Sequence, residues 1–405
     1  MGKVIKTKKL KKIILFLILI LGLKLFDLNI VSSTIGNGMT ILSFMVVLLG
    51  LLFKKQSGVV YRYSKLIYIF FLGIFLNVII MLLYNGSSLY DTFFVLINYL
   101  GLLLYYFLHK YKYEEKTIFT IIVYIAVIVS LLMIWQNIIK PKPLFNQLID
   151  HPWYLDQRGT VRVRIPGMAL VVFTYFYFLN KFLNNNKLKY ILFSMFFLAV
   201  LVLQGFRSIT LTIILCSAYL YWNGGKGKSK ITAKKIFLLF FILISIFIVA
   251  TQVEYIRNII NEMIFQSIED KEIGDENVRL YAFIYYLDTI KTEFWMYFTG
   301  TGLKIPFETP PGLYAVDLGL FGFFALAGVI PTYALIRLLL KSYKEANNLN
   351  YLIVTVFYIY ILLNCLMFNA EPFRTGIFHI YSLGFYLIDL NFFKQNNLKY
   401  GSKRS

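Results

Sequence analysis

The stretch LIYIFFLGIFLNVIIMLLY (66–84) runs for nineteen residues without a charge. A helix that crosses the hydrocarbon core of a bilayer needs about 20 predominantly apolar residues. Eleven further stretches carry the same signature, near 13–31, 38–53, 90–109, 117–138, 166–183, 189–205, 207–222, 236–252, 314–338, 350–368 and 375–393. The expected fold is an all-α polytopic membrane protein of about twelve transmembrane helices, forming one integral membrane domain over residues 1–405.

Composition supports that class. The 405 residues are 59% hydrophobic and 15% charged, against about 45–50% and about 25% in soluble domains. Mean hydropathy is +0.69. A disordered chain, a secreted disulfide scaffold and an ordinary soluble enzyme are excluded. Cys216 and Cys365 each lie inside an apolar run, so they suggest neither a disulfide framework, a zinc site nor a redox pair. The N-terminus, Lys3 to Lys12 and then Ile13 onward, resembles a signal peptide. No small-residue cleavage site follows, so it is read as an uncleaved first span.

The net charge of +21 would suggest nucleic acid in a soluble protein. Here it reads as topology, because cytoplasmic loops collect basic residues, and no nucleic-acid partner is expected. With both termini cytoplasmic, 25 of the 31 lysines fall inside: at the N-terminus, in loops 54–65, 110–116, 181–189, 223–235 and 339–349, and in the C-terminal tail. The short outside loops 32–37 and 85–89 carry no basic residue. Two outside segments are long, about 139–165 and 253–313. In the second, Ile256, Ile259, Ile260, Met263 and Ile264 recur at helical spacing opposite Glu254, Arg257, Asn258, Asn261 and Glu262. That pattern predicts an interfacial amphipathic helix. A second helical stretch follows over 279–296, and GTGLKIPFETPPG (300–312) reads as irregular.

Arginine is distributed differently. Seven of the ten arginines fall outside: Arg158, Arg162, Arg164, Arg207, Arg257, Arg279 and Arg374. A guanidinium is a planar, permanent cation that grips phosphate or carboxylate with two donors. An outward set suggests an anionic ligand at the outer leaflet, such as a lipid pyrophosphate or an acidic glycan. Headgroup contacts and salt bridges with Asp156, Glu254 or Glu371 are the plainer alternative. Arg207 sits in QGFRS (204–208), between two short spans. An Arg at that depth is costly unless it is paired or faces a wet cavity. Snorkelling to the interface is the other option.

Acidic candidates for proton transfer are Asp156, Asp288, Glu308, Asp317 and Glu371. Asp317, in AVDLGLFGF (315–323), could serve as a base or favour a helix start. Glu308 lies in the Pro-flanked loop. His151 is the one histidine placed outside; His109 and His379 belong to spans. No pattern resembles a metal site, a P-loop or a nucleotide fingerprint, so no cofactor or metal is expected.

Three segments in order resemble the O-antigen polymerase/ligase superfamily. LQGFRSITLTIIL (203–215) resembles its small-residue–Ser/Gly–Arg–Ser/Gly signature and places Arg207 on the Arg. ENVRLYAFIYYLDTIKTEFWMYFTGTGL (276–303) resembles the large-loop segment running from Arg to Gly-x-Gly, which carries over Arg279, Gly300 and Gly302. VDLGLFGF (316–323) resembles the acidic-x-Gly-x-x-Gly start of the tenth span, which carries over Asp317, Gly319 and Gly322. Ligases of the family usually have a His in the large outside loop. Residues 253–313 contain none, which counts against a ligase and towards a Wzy-type polymerase, or leaves the base role to another residue.

The resemblance implies glycosyl transfer at the outer face of the cytoplasmic membrane, without a metal. The donor would be an undecaprenyl-pyrophosphate-linked glycan, and the product a capsular polysaccharide, exopolysaccharide or O-antigen. Arg207, Arg279, Asp317 and Glu308 would be catalytic. Arg158, Arg162, Arg164, Arg374, Glu371 and His151 would bind pyrophosphate or glycan. A flippase, a chain-length regulator and membrane lipid would be partners. Alternatives are a ligase, a lipid-linked oligosaccharide flippase, a glycosyltransferase using monosaccharide-phosphate lipids (for which Asp27 would be the acid) and a non-catalytic scaffold.

Overall fold

A computed structural model describes residues 2–26, 28, 33–53, 61–83, 86, 88–139, 142, 144–145, 166–203, 207–224, 275–302, 318–366 and 376–401. Among these the regular structure is helical, and the one β-type contact is an isolated bridge between Leu28 and Phe145. The helices are α1 (Gly2–Gly22), α2 (Ser33–Phe53), α3 (Ser64–Leu83), α4 (Leu89–Tyr99) and α5 (Leu104–Tyr111). Then come α6 (Glu115–Ile139), α7 (Met168–Asn185), α8 (Leu188–Leu203) and α9 (Arg207–Gly224). Further along the chain come α10 (Asp275–Thr292), the single turn α11 (Met296–Thr299), α12 (Gly319–Ala327), α13 (Val329–Asn348), α14 (Leu352–Leu366) and α15 (Ile377–Gly401).

Local chemistry explains the boundaries. α5 ends on Lys112 and α7 on Asn186, both in the left-handed conformation that closes many helices. The Asn186 N–H bonds the Phe182 carbonyl at 2.8 Å. Glu115 opens α6, where a carboxylate suits the positive helix end.

Three expectations need correction. The first helix covers Gly2–Gly22 rather than 13–31. Its lysines are good helix formers, so the helix extends back through them and stops at Gly22. The stretch 90–109 is α4 and α5 joined through a 3-10 turn, Leu100–Leu103. The stretch 314–338 is broken: α12 stops at Gly328, and α13 begins after it. The 236–252 span and the amphipathic 256–264 helix lie outside the described residues.

Two helices, α3 and α6, are long and apolar enough to cross a membrane, and the shorter helices 188–203 and 352–366 are also apolar. Their outward faces are apolar too. Tyr68, Leu72 and Phe75 of α3 are 65%, 56% and 59% exposed. Tyr124, Leu131, Trp135 and Ile138 form a matching stripe on α6. Polar groups such as Asn77 and Asp389 are buried instead.

The lysine-flanked helix ends meet at one end of the bundle. Lys11 Nζ donates to the Tyr111 carbonyl at 2.7 Å, and Tyr113 Oη donates to the Lys11 carbonyl at 3.1 Å. Lys110 reaches the Leu51 carbonyl, and Arg62 pairs with Glu345 at 3.0 Å. Tyr351 donates to Glu115 at 2.8 Å, Lys394 pairs with the same carboxylate, and Gln395 donates to the Leu349 carbonyl at 2.9 Å. Gly224 faces Leu183 and Leu352 here, which puts the C-terminal end of α9 at this end and Arg207 at the far one.

Candidate functional site

The break between α12 and α13 is built around Asn77. This buried side chain on α3 donates to the Leu326 carbonyl at 2.8 Å and to the Thr299 carbonyl. The Thr301 N–H bonds the Ala325 carbonyl at 2.8 Å, and the Gly302 N–H bonds the Leu326 carbonyl at 3.1 Å. The last carbonyls of α12, orphaned by the break, thus receive donors from the Gly-x-Gly segment and from α3. Thr332 Oγ1 closes the other side by donating to the Gly328 carbonyl at 2.7 Å.

Glycine is required at two of these positions. A Cβ on Gly300 would overlap the Leu326 carbonyl, and one on Gly328 would overlap the Phe298 carbonyl. Both residues have positive φ, +74° and +85°. Asn77 lies thirteen residues after Ser64, or about 20 Å along α3 from the lysine end.

This junction ties α10 and α11 to α12. Ala282, Tyr286, Ile290, Met296, Leu318 and Leu326 form a small separate core. The rings of Phe283 and Phe321 lie 4.3 Å apart. Arg279 is one helical turn before Phe283, and Phe321 is four residues after position 317. The structure therefore brings together the starting segments of the two helices that follow or contain these predicted site residues. Arg207 begins α9, which packs along α14 and α7 rather than on α10. The side chains of Arg207 and Arg279 lie outside the described residues, although their backbones are helical. His151, Arg158, Arg162, Arg164, Glu308, Asp317, Glu371 and Arg374 lie wholly outside them.

A second polar cluster sits at the lysine end. Asp389 on α15 is fully buried. It accepts from Tyr105 Oη at 2.6 Å and lies 3.1 Å from His109 Nε2 and 3.9 Å from Arg62 Nη1. Glu345 accepts from Arg62 at 3.0 Å and from Tyr63 at 2.7 Å. Lys341 reaches the Arg62 carbonyl, and the Arg62 guanidinium stacks over Phe392 at 3.8 Å. Burial and the Glu345 carboxylate push the Tyr63 hydroxyl well above its ordinary range. The cluster locks α3, α5, α13 and α15 together. Sequence reasoning missed it, although a lone Asp in the apolar run FYLIDL (385–390) was a usable signal.

Among the described residues, no group of three or more His, Cys, Asp or Glu side chains could hold a metal ion. No protein-family model matches the chain, and no curated protein matches it at a significant level.

Proposed function

We propose that this chain spans the cytoplasmic membrane about twelve times and polymerises undecaprenyl-pyrophosphate-linked repeat units at its outer face, as a Wzy-type polymerase of the O-antigen polymerase/ligase superfamily. The supporting observation is the Asn77 junction. It gives the Gly-x-Gly segment a defined task, capping α12, and in doing so binds the Arg279 helix to the helix that follows Asp317. The gathering of lysine-flanked ends opposite the start of α9 agrees with a cytoplasmic lysine face and an outward Arg207.

In this reading the C1–O bond to the donor pyrophosphate breaks while an acceptor hydroxyl on a second lipid-linked repeat attacks C1. Negative charge builds on the departing pyrophosphate. Arg207 and Arg279, fixed before the reaction, stabilise that charge without reorganising. Asp317 or Glu308 takes the hydroxyl proton. Arg158, Arg162, Arg164 and Arg374, with Glu371 and His151, hold the glycan and its phosphates.

A flippase is the second reading, because broken helices are common in transporters. There, however, unwound carbonyls coordinate the coupled ion. Here Ala325 and Leu326 already accept from Thr301, Gly302 and Asn77. The lipid-linked intermediate that accumulates when the gene is deleted separates these readings. A polymerase predicts single repeats on the carrier at the outer leaflet. Accumulation at the inner leaflet indicates a flippase, and long polymer still on its lipid indicates a ligase.

A further inference from the structure

At the lysine end, a cavity of about 1250 Å3 opens between α6, α7 and α15. That is large beside the roughly 300–1,000 Å3 of ordinary ligand pockets. α6 and α7 pack closely, whereas α15 meets both only sparsely, and this leaves the space open. All three helices grade the same way from mouth to depth. Lys116 is followed inward by Phe119 and Val123 on α6, Lys181 by Phe178 on α7, and Lys394 by Leu390 on α15. Val123 is seven residues from Lys116, about 10 Å deeper.

The charges at the mouth are not all spent. Lys394 is paired with Glu115, which also accepts from Tyr351, and Lys181 lies 4.3 Å from the centre of the Tyr177 ring. Glu114 is the other carboxylate at the rim. Among the described residues, Lys112 and Lys116 pair with no carboxylate. Lys112 is held at the mouth by a left-handed backbone, φ +49°. A soluble anion would need no apolar wall ten ångströms deep, and a neutral lipid would need no unpaired cations.

We propose that this cavity binds an anionic phospholipid. Its phosphate sits on Lys112 and Lys116, and an acyl chain runs along Phe119, Val123 and Phe178. The lipid is a resident at the inner face, distinct from the lipid-linked glycan assigned to the other end. The site goes beyond the glycosyl-transfer reading and stands or falls separately from it.

The test uses purified full-length protein in detergent and measures thermal unfolding while phosphatidylglycerol, phosphatidylcholine or inorganic phosphate is titrated in. Phosphatidylglycerol should stabilise well beyond phosphatidylcholine, and phosphate should have no comparable effect. Lys112→Gln and Lys116→Gln should each weaken the phosphatidylglycerol response about fivefold, and together about 30-fold, at the usual worth of one basic residue near an anionic lipid. Val123→Trp should weaken it by filling the deep end, and Lys187→Gln/Lys189→Gln, outside the lining, should leave it unchanged. An undiminished response in the Lys112/Lys116 double variant, an equal response to phosphate, or an equal loss in the Lys187/Lys189 variant overturns the proposal. For variants that do not fold, the wild type answers directly. A photoactivatable phosphatidylglycerol should label segments 116–124 and 177–181, and labelling confined elsewhere also overturns it.

Discussion

Gly328 stands at positive φ with an extended ψ, a region essentially closed to side chains, and its missing Cβ makes room for the Phe298 carbonyl. Gly38, inside α2, meets nothing within 4 Å. The two glycines should therefore respond oppositely to alanine. Gly328→Ala should cost at least about 2 kcal/mol, through overpacking and backbone strain. Gly38→Ala should be neutral or gain up to about 1 kcal/mol of helix propensity. Thermal unfolding in detergent measures both, and an unchanged midpoint for Gly328→Ala would remove the junction from the account. Gly300 and Gly302 were readable as a Gly-x-Gly pair because two glycines at close spacing stand out in the sequence itself. Asn77, which holds the same junction, was not. One amide in an apolar run has no period, and its meaning comes from two carbonyls more than 200 residues away.

At the scale of elements, hydropathy found helices well and their ends less well. The run 314–338 is apolar on both sides of Gly328, so composition alone could not reveal that one span is two helices. Pro331 was a usable sign, since a proline inside a helical run ends or kinks the helix just before it. The close approach of α1, the 3-10 turn and α15 was equally invisible. There the buried His379 ring lies where a Cβ on Gly22 or on Gly101 would fall, 2.5 Å from Nε2 and 2.6 Å from Nδ1. Gly22→Ala should destabilise by about 1–3 kcal/mol through overpacking. Because its predicted contacts are all with the His379 ring, Gly22→Ala should cost less in a His379→Ser background. A double-mutant cycle measures this coupling, expected at about 1 kcal/mol or more. Strict additivity would mean that α1 and α15 are not in contact as described.

At the scale of the whole molecule, charged side chains among the described residues gather the lysine-flanked helix ends at one end of the bundle. The lysine-flanked ends are drawn together by Lys11, Arg62, Glu115 and Glu345, and the buried Asp389 cluster fixes four helices there. Residue counts made that end readable from sequence, because each lysine-rich loop reports independently on one side. The expectation for the opposite end rests on a set of arginines in segments that the charge pattern assigns to the outside. Of these, Arg207 and Arg279 now have positions on helices, at the start of α9 and in the first turns of α10. Their convergence on one ligand belongs to the proposed reaction, and chemistry tests it best. The most direct measurement is polymer chain length in cells carrying Arg207→Ala or Arg279→Ala, with the protein's membrane level checked by immunoblot. Each variant should lose long polymer and accumulate single lipid-linked repeats while its membrane level stays unchanged. Wild-type chain length in either variant would contradict the assignment.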